Sequence, residues 1–464
     1  MSTNFITEVE QQSIFDNLQR LKIENKIQRI DKINKIVDYL IEHDEKWKNA
    51  LKKDLGKHPK EAQITELAPI ISTASYIKKN IDAWHRNKTV GSPIFMLGLS
   101  SYIKYEPKGQ VLVISPWNYP LQLAVTPILY AIAAGNAVVL KPSEIAKSTS
   151  SFLKEMFDLL FDKNDIYVVE GGIEETTTLL EHPFNHIFFT GSPAVGKIIM
   201  KAASKNLSSV TLELGGKSPL IIDGTQNAEK SAEISVFGKC TNAGQTCIAP
   251  DFVLIKDEHL KEYVSAFEFQ IKNVYSSIES SDFYGKIINQ KNFDRLIGLL
   301  NDAIEKGAEI ISGGEYDREK LFIAPTILVN VNNDMKIMQE EIFGPLLPIC
   351  TYNEIKEVPE MLSKMDKPLA LYICSKNKKN IKYILDNTSA GGSAINEVMV
   401  TSINPELPFG GVNNSGIGKS NGKHSFIEFS NERGIVHRKW YNLKMVHPPY
   451  KNPMLKLLNW LAKY

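Results

Sequence analysis

The sequence predicts an α/β protein in which two parallel-sheet units are joined to a small β element. Three observations carry this reading. At 464 residues the chain exceeds what one hydrophobic core serves, so two or three domains are expected. Between Val111 and Leu214, short Val- and Ile-rich runs alternate with helical runs, the pattern of a parallel sheet covered on both faces. A second alternation of the same kind runs from about Ser218 to the Gly391-Gly392 pair.

Each element has a local reason. Ile23, Ile27, Ile30, Ile33, Val37 and Leu40 recur at helical spacing, as do Leu67, Ile70, Ile71, Ala74, Ile77, Ile81 and Trp84. Ser100 to Glu106 alternates as a strand, Pro107-Lys108-Gly109 turns, and Gln110 to Ile114 follows as a strand, so the segment reads as a hairpin. Further strands are expected at Ala137 to Leu140, Ile166 to Val169, His186 to Thr190 and Ser209 to Leu214, with helices at Ser151 to Phe161 and Glu174 to Leu180. Leu121 to Leu140 is apolar enough to suggest a membrane span. Gln122, Pro127, Gly135 and Asn136 interrupt it, and a buried helix, a Gly-Asn turn and a buried strand explain it better. In the second unit, Asp251 to Ile255 and Pro368 to Cys374 read as strands. Past Glu428 come a β stretch at Gly434 to Trp440, the Pro448-Pro449 break and a terminal helix, Asn452 to Tyr464. That helix sets Met454, Leu455, Leu458 and Leu461 on one face among lysines 451, 456 and 463. It is basic and amphipathic, and too short to cross a bilayer.

Composition narrows the function. The 54 basic and 53 acidic residues are interspersed and leave a net charge of +1, so there is no electrostatic case for a nucleic-acid partner. Cys240, Cys247, Cys350 and Cys374 show no zinc-type spacing, and no histidine spacing suggests a metal. Cys350 and Cys374 sit in apolar runs and read as small buried hydrophobes. The N-terminus lacks the basic flank and apolar core of a signal peptide, which makes the reducing cytoplasm the expected compartment.

Cys247 is different. It closes Asn242-Ala243-Gly244-Gln245-Thr246-Cys247, a thiol among small and polar residues with no packing role. Glu213 lies between Leu212 and Leu214 at a strand end before Gly215-Gly216, where an apolar setting raises a carboxyl pKa toward the range of a useful base. Thiolate attack on a carbonyl carbon creates an oxyanion that needs hydrogen-bond donors. Asn118, in Ser115-Pro116-Trp117-Asn118-Tyr119-Pro120, is a candidate donor, and a turn residue between prolines is the competing explanation. Gly191, Ser192, Pro193, Ala194, Val195 and Gly196 form a glycine turn and helix start whose N–H groups favour an anion such as phosphate. Their glycine spacing fits neither the dinucleotide fingerprint nor a Walker loop. Lys141-Pro142-Ser143-Glu144 ends a buried strand with a cation and a carboxylate. Glu144 could accept from ribose hydroxyls and would repel a 2′-phosphate, while a solvated lysine and a helix cap explain it equally. The glycine-dense stretch Phe409 to Gly418 reads as loop geometry rather than chemistry.

Taken together the chain resembles the aldehyde dehydrogenase superfamily over nearly its whole length, and within it the class 3 and fatty aldehyde dehydrogenase branch. The matching motifs, in family order, are Pro116 to Pro120, Lys141 to Glu144, Phe189 to Ser192, Leu212 to Lys217, Gly244 to Cys247, Glu340 to Pro345 and Pro408 to Gly411. The resemblance implies a Rossmann-like NAD(P)-binding domain over residues 1–214, interrupted by a bridging hairpin at about 100–113. It implies a catalytic domain over 215–390, a return segment over 391–427, and a bridging strand with the amphipathic helix over 428–464. The β element would serve oligomerisation, as a homodimer. The implied cofactor is NAD, with NADP accepted by many members of the branch and Glu144 favouring NAD. Cys247 would be the nucleophile, and Asn118 with the Cys247 backbone N–H the oxyanion site. Glu213 would be the base, a role for which Glu341 is also a candidate. Gly191 to Gly196 would face the pyrophosphate, Lys141 and Glu144 the adenosine ribose, Glu341 the nicotinamide ribose and Phe343 its ring. A medium- or long-chain aliphatic or aromatic aldehyde suits a terminal helix docked over a substrate funnel, or in peripheral contact with a membrane.

Two other readings stay open on the residues. The thioester could pass to coenzyme A, or the fold could serve a non-catalytic binding or structural role. The intact set of Cys247, Glu213 and Asn118 argues against the second. The lack of a histidine paired locally with Cys247 argues against a Cys–His hydrolase.

Overall fold

The computed structural model describes residues 17–440, apart from 94, 95 and 97, together with 448 and 460. The chain enters through helices Lys26–Glu42, Asp44–Leu55 and Ala68–His85. The first starts at Asn25, whose side chain accepts from the N–H groups of Ile27 and Gln28 at 2.9 and 3.1 Å, while Gln28 reaches back to the Asn25 N–H. Its buried face is Ile33, Ile36, Val37 and Leu40. Ile23 and Ile27, expected on that stripe, are 82% and 61% exposed; the stripe is broken because residues 17–23 form a separate helical segment that ends before the Asn25 cap, and Ile27 lies in the first turn after it.

The strands follow in order: β1 (Lys88–Val90) and β2 (Leu99–Pro107); then β3 (Gln110–Ile114), β4 (Ala137–Lys141), β5 (Ile166–Val168), β6 (His186–Gly191) and β7 (Ser209–Leu214). Next come β8 (Pro219–Ile222), β9 (Phe252–Lys256), β10 (Glu309–Ser312), β11 (Tyr316–Asp317), β12 (Phe322–Ile323), β13 (Thr326–Val329), β14 (Leu346–Tyr352), β15 (Ala370–Cys374) and β16 (Gly392–Ile395). Last are β17 (Gly416–Ile417) and β18 (Ser430–Arg438).

They assemble the expected mixed α/β architecture. The first sheet has the order β17-β7-β6-β3-β4-β5, parallel except for β17. From β3 the chain winds outward through β4 and β5, then crosses back to β6 and β7, so the strand order reverses beside β3. Ligands of such sheets bind beyond the carboxyl ends at that reversal. The second sheet has the order β10-β13-β14-β9-β8-β15-β16, parallel except for β10. The third pairs β1, β2 and β18 antiparallel, with nine residues of β18 in register along β2.

Two pairings differ from the sequence reading. β2 and β3 are not a hairpin: β2 pairs with β1 and β18, whereas β3 lies between β4 and β6. Val111 to Ile114 are all buried, so β3 must be covered on both faces, and only a central position in the parallel sheet provides that. β16 had been placed in the return segment, yet it continues the second sheet beside β15, and the chain rejoins the first sheet only at β17. Leu121 to Leu140 folds as expected, into the buried helix Gln122–Ala134, a turn at Gly135 (φ +92°) and β4. Among the described residues no helix is long and apolar enough to cross a membrane. The terminal helix expected at 452–464 lies outside the described residues.

Tyr130, on that buried helix, accepts from the Gly422 N–H at 2.9 Å and so ties the returning chain to the first unit. Tyr130→Phe strands a buried N–H, at a cost of about 1–3 kcal/mol. A lowered thermal midpoint with activity retained at low temperature is the expected result; an unchanged midpoint would show that water replaces the phenol.

Candidate active site

Cys247 follows a strained turn. Helix Ala228–Cys240 ends in a turn at Thr241–Gly244, in which Asn242, Ala243 and Gly244 all adopt left-handed backbone (φ +52°, +52° and +72°). Such a run is costly for Ala243, which has no polar side chain to compensate, and it persists only where the surroundings over-determine it. They do so here through amides. Asn242 Nδ2 donates to the carbonyls of Asn118 (2.9 Å) and Gln245 (3.1 Å), and its N–H donates to Glu61 Oε1 (2.9 Å). Gln245 Nε2 donates to the carbonyls of Asn242 (2.9 Å) and Lys286 (3.0 Å), and its Oε1 accepts from Ile288 N–H (3.0 Å). A Cβ at Gly244 would lie 2.4 Å from the Gly344 carbonyl oxygen, so only glycine lets this turn approach the Glu341 loop.

Asn118 comes from the first sheet, just past β3, and is 3% exposed. Its Nδ2 donates one hydrogen to the Gln245 carbonyl at 3.0 Å, which fixes the amide plane against the cysteine loop. The next residue, Tyr119, shares a 2.7 Å hydrogen bond with Thr246 Oγ1. Beneath them Lys57 is wholly buried. Its Nζ donates to Glu66 at 2.6 Å and to the Asn118 carbonyl at 3.0 Å, and stands 3.9 Å above the Tyr119 ring. Glu66 also accepts from Gln122 N–H at 2.8 Å.

Two carboxyls share the crevice. Glu213 ends β7 and is 6% exposed; burial raises its pKa to about 7, with Glu428 adding to the rise and Ser420 and Lys419 opposing it. Glu341 approaches Gly215 so closely that a Cβ there would lie 2.0 Å from its Oε2. Burial raises its pKa to about 8, helped by Asp251 and opposed by the Gly216 N–H, Lys217 and Arg295. The loop holding it is tied by Arg295 to the carbonyls of Glu341 (3.3 Å) and Ile342 (2.5 Å), and by Asp251, which accepts from Ile342 N–H (2.9 Å) and pairs with Lys217. Phe343, in left-handed backbone at φ +50°, meets Trp117 edge-on at 5.2 Å. Burial, with the charges of Glu341 and Glu213 adding to it and the N–H groups of Cys247 and Ile248 opposing it, lifts the Cys247 thiol to about 12. The thiol is thus protonated at rest although part of the side chain stays exposed.

Helix Pro193–Asn206 begins beside β6, with Ser192 as its cap accepting from Val195 N–H at 3.4 Å. Ser192, Ala194 and Val195 are exposed, so the free N–H end is open, and Gly196 is buried where a Cβ would meet Leu214 at 2.8 Å. Lys141 is 2% exposed, donates to the Pro142 carbonyl at 2.9 Å and sits 3.5 Å from the half-exposed Glu144. An open helix end past β6, and a carboxylate past β4 on the other side of β3, both beyond the carboxyl ends of the strands at the reversal, fit a dinucleotide.

The aldehyde dehydrogenase family model matches residues 13–435 of this chain. The chain belongs to the aldehyde dehydrogenase family. It is 41% identical over 444 residues, 95% of either chain, to the 4,4'-diaponeurosporen-aldehyde dehydrogenase of Staphylococcus aureus, and 41% identical over 426 residues, 90% of either, to rat aldehyde dehydrogenase family 3 member B1. A solved Staphylococcus aureus AldH, in a substrate-bound state, superposes with a TM-score of 0.92 at 39% identity, covering 98% of this chain and 100% of that one. Staphylococcus aureus betaine aldehyde dehydrogenase, solved with NAD+, gives a TM-score of 0.83 at 27% identity, covering 93% of this chain and 88% of that one. As an aldehyde dehydrogenase the chain is an NAD(P)-dependent oxidoreductase acting on aldehydes.

Of the residues singled out in the sequence, the structure brings Asn118 onto the Cys247 loop and sets Cys247 within the electrostatic reach of Glu213 and Glu341; Lys141 with Glu144 and Gly191 to Gly196 lie past β4 and β6 in the first sheet, and Phe343 packs on Trp117. Lys57, Glu61, Glu66, Arg295 and Ser420 were missed because each reaches the site from a distant segment and carries no motif of its own, and Asp251, four residues after Cys247, was missed because its partners Lys217 and Ile342 are far away in sequence. Of the two thiols expected to be buried, Cys374 is and Cys350 is only half-buried; Cys240 is buried as well. Among the described residues no cluster is placed to hold a metal.

Above about pH 8, where Glu341 is ionised, its negative charge opposes thiolate formation, so Glu341→Gln should let iodoacetamide label Cys247 faster at about pH 9 and make little difference near pH 6. Oxidised NAD should accelerate labelling of the unaltered enzyme, since its nicotinamide is cationic. Equal rates in all three states would show that burial alone sets the thiol's reactivity.

Proposed function

We propose that this aldehyde dehydrogenase oxidises medium- or long-chain aliphatic or aromatic aldehydes to acids through a covalent Cys247 adduct. The observation that carries the proposal is the convergence of one thiol, one fixed amide and two carboxyls at the crevice shared by both sheets. The apolar run Val398-Met399-Val400 supports the substrate class. Met399 N–H donates to Tyr372 Oη (3.2 Å), which donates to the carbonyl of Ile248, the residue after the nucleophile, at 2.6 Å. Ile403 and Leu407 beyond it are 69% and 52% exposed. The relative named for 4,4'-diaponeurosporen-aldehyde is in keeping with such a substrate.

On this reading Cys247 adds to the aldehyde carbon, and the oxyanion takes the remaining N–H of the Asn118 amide and the backbone N–H of Cys247. Bound NAD supplies the hydride acceptor. Gly191 to Gly196 hold its pyrophosphate, Lys141 and Glu144 the adenosine ribose, Glu341 the nicotinamide ribose and Phe343 the ring. Glu144 favours NAD, although NADP can enter. The thioester left on Cys247 is attacked by water: the water's proton passes to Glu213, the new C–O bond forms, the C–S bond breaks and the thiolate leaves. Glu213 suits this step because only its ionised form accepts the proton and its pKa lies near 7.

Cys247→Ala should abolish NAD reduction, and measurable turnover in that variant would end the proposal. Glu213→Gln should leave acylation intact and let an acyl-enzyme accumulate, visible as a mass increment on Cys247. Below pH 7, hydrolysis by the unaltered enzyme should fall as Glu213 takes up a proton. Unimpaired hydrolysis in Glu213→Gln would move the base role to Glu341. Release of free acid without added coenzyme A separates this chemistry from acyl transfer.

We further read the enzyme as a cytoplasmic homodimer, supported by the exposed nine-residue edge that β18 presents. The basic, amphipathic sequence of residues 452–464 is read as having no part in membrane binding. Sedimentation with and without liposomes checks both: a dimer that stays in the supernatant is expected. A monomer would refute the first reading, and pelleting that is lost on truncation before residue 445 would assign the helix to the membrane instead.

A further inference from the structure

The segment after the glycine-dense loop does more than turn. β17 adds to β7 with Gly416 opposite Glu213, and Phe409 and Ser420 exchange main-chain hydrogen bonds at 2.9 and 2.6 Å, so the chain doubles back across the Glu213 carboxyl. Ser420 Oγ donates to Glu213 Oε1 at 2.5 Å, and a Cβ at Gly410 would lie 3.4 Å from the same oxygen. Glu213 Oε2, also buried, has no hydrogen-bond partner among the described residues. One carboxyl oxygen is therefore clamped and the other is left to meet something the protein does not supply.

The charges around it are few. Lys419 favours the ionised form of Glu213, but its Nζ is committed to the carbonyls of Gly410 and Gly411. Glu428 opposes ionisation; its oxygens accept from Lys419 N–H (3.1 Å) and Thr211 Oγ1 (2.8 Å). Across the crevice stands the Cys247 sulfur, which would repel Glu213 if both were ionised. Ser420 alone touches the carboxyl with a side-chain hydrogen-bond donor among the described residues.

We propose that Ser420 is a positioning residue for hydrolysis of the acyl-enzyme: its hydroxyl holds Glu213 by Oε1, leaves Oε2 to take the proton of the attacking water, and stabilises the carboxylate that must do so. The proposal rests on the reading of Glu213 as the base. A donor to a carboxylate favours the charged form, so its loss raises the pH at which the base becomes competent.

The experiment compares Ser420→Ala and Ser420→Val, which lack the hydroxyl, with Ser420→Thr, which keeps it. Acylation is read from the burst of reduced nicotinamide and hydrolysis from the rate that follows, over roughly pH 5 to 10. In Ala and Val the acidic limb of hydrolysis should move up by about one pH unit, leaving turnover about tenfold slower below the limb. The burst and the aldehyde KM should hold, and Thr should restore the profile. An unmoved limb, or a loss equal at every pH and accompanied by a raised KM, overturns the proposal. Glu213→Gln runs in parallel with Ser420 intact. Unimpaired hydrolysis there would overturn the base assignment, a failure recognisable because it does not involve Ser420 at all.

Discussion

The hydrogen bonds between Asn118 and the Asn242–Gln245 turn hold this active site together. They are where the two large sheets meet, and each depends on the other. The turn carries three successive left-handed residues, an arrangement that would relax if the Asn118 carbonyl did not accept from Asn242. The Asn118 amide in turn would be free to rotate if the Gln245 carbonyl did not receive one of its hydrogens. Preorganised donors stabilise a developing oxyanion without reorganising during reaction, and the cost of holding them is met here by folding. The buried Lys57–Glu66 pair extends the same lattice downward. A buried ion pair is weak evidence for stability by itself, but this one has its remaining bonds satisfied by the Asn118 carbonyl and the Gln122 N–H, which turns it into a rigid floor.

Burial governs the electrostatics. Glu213, Glu341 and Cys247 are all pushed toward their neutral forms by desolvation, and the two carboxyls oppose ionisation of the sulfur between them. The same desolvation that keeps the thiol protonated brings Glu213 to a pKa of about 7, so one physical cause acts on both groups. Glu341 is held by contact with Gly215 and by a loop pinned through Asp251, Lys217 and Arg295, which keeps a second titrating carboxyl at the cofactor end of the crevice.

Much of this was legible in order along the chain. Strand–helix alternation gave the two sheets, because period and apolar content are local properties that survive into the fold. The strand–turn motifs at Asn118, Lys141, Gly191 and Glu213 marked carboxyl-end loops for the same reason. The failures were failures of partnership. β2 and β3 looked like a hairpin because a Pro-Lys-Gly turn joins two strands, and nothing local says that one of them is needed at the centre of a sheet built from later residues. β16 could not be placed from its four residues, because nothing local in Gly392 to Ile395 says that they pair with β15.

The amino-acid order by itself determined the α/β class and the carboxyl set in an apolar strand end, and it marked Cys247 by its polar flanks, although the side chain packs against the core of the second unit. It did so because periodicity and flanking polarity act over a few residues. Only the tertiary structure decided which groups surround them: that Lys57 and Glu66 underlie the amide, that Asp251 and Arg295 pin the Glu341 loop, and that Ser420, some two hundred residues away in sequence, grips the Glu213 carboxyl. Hydrogen bonds and desolvation depend on distance in space, and only folding sets that distance.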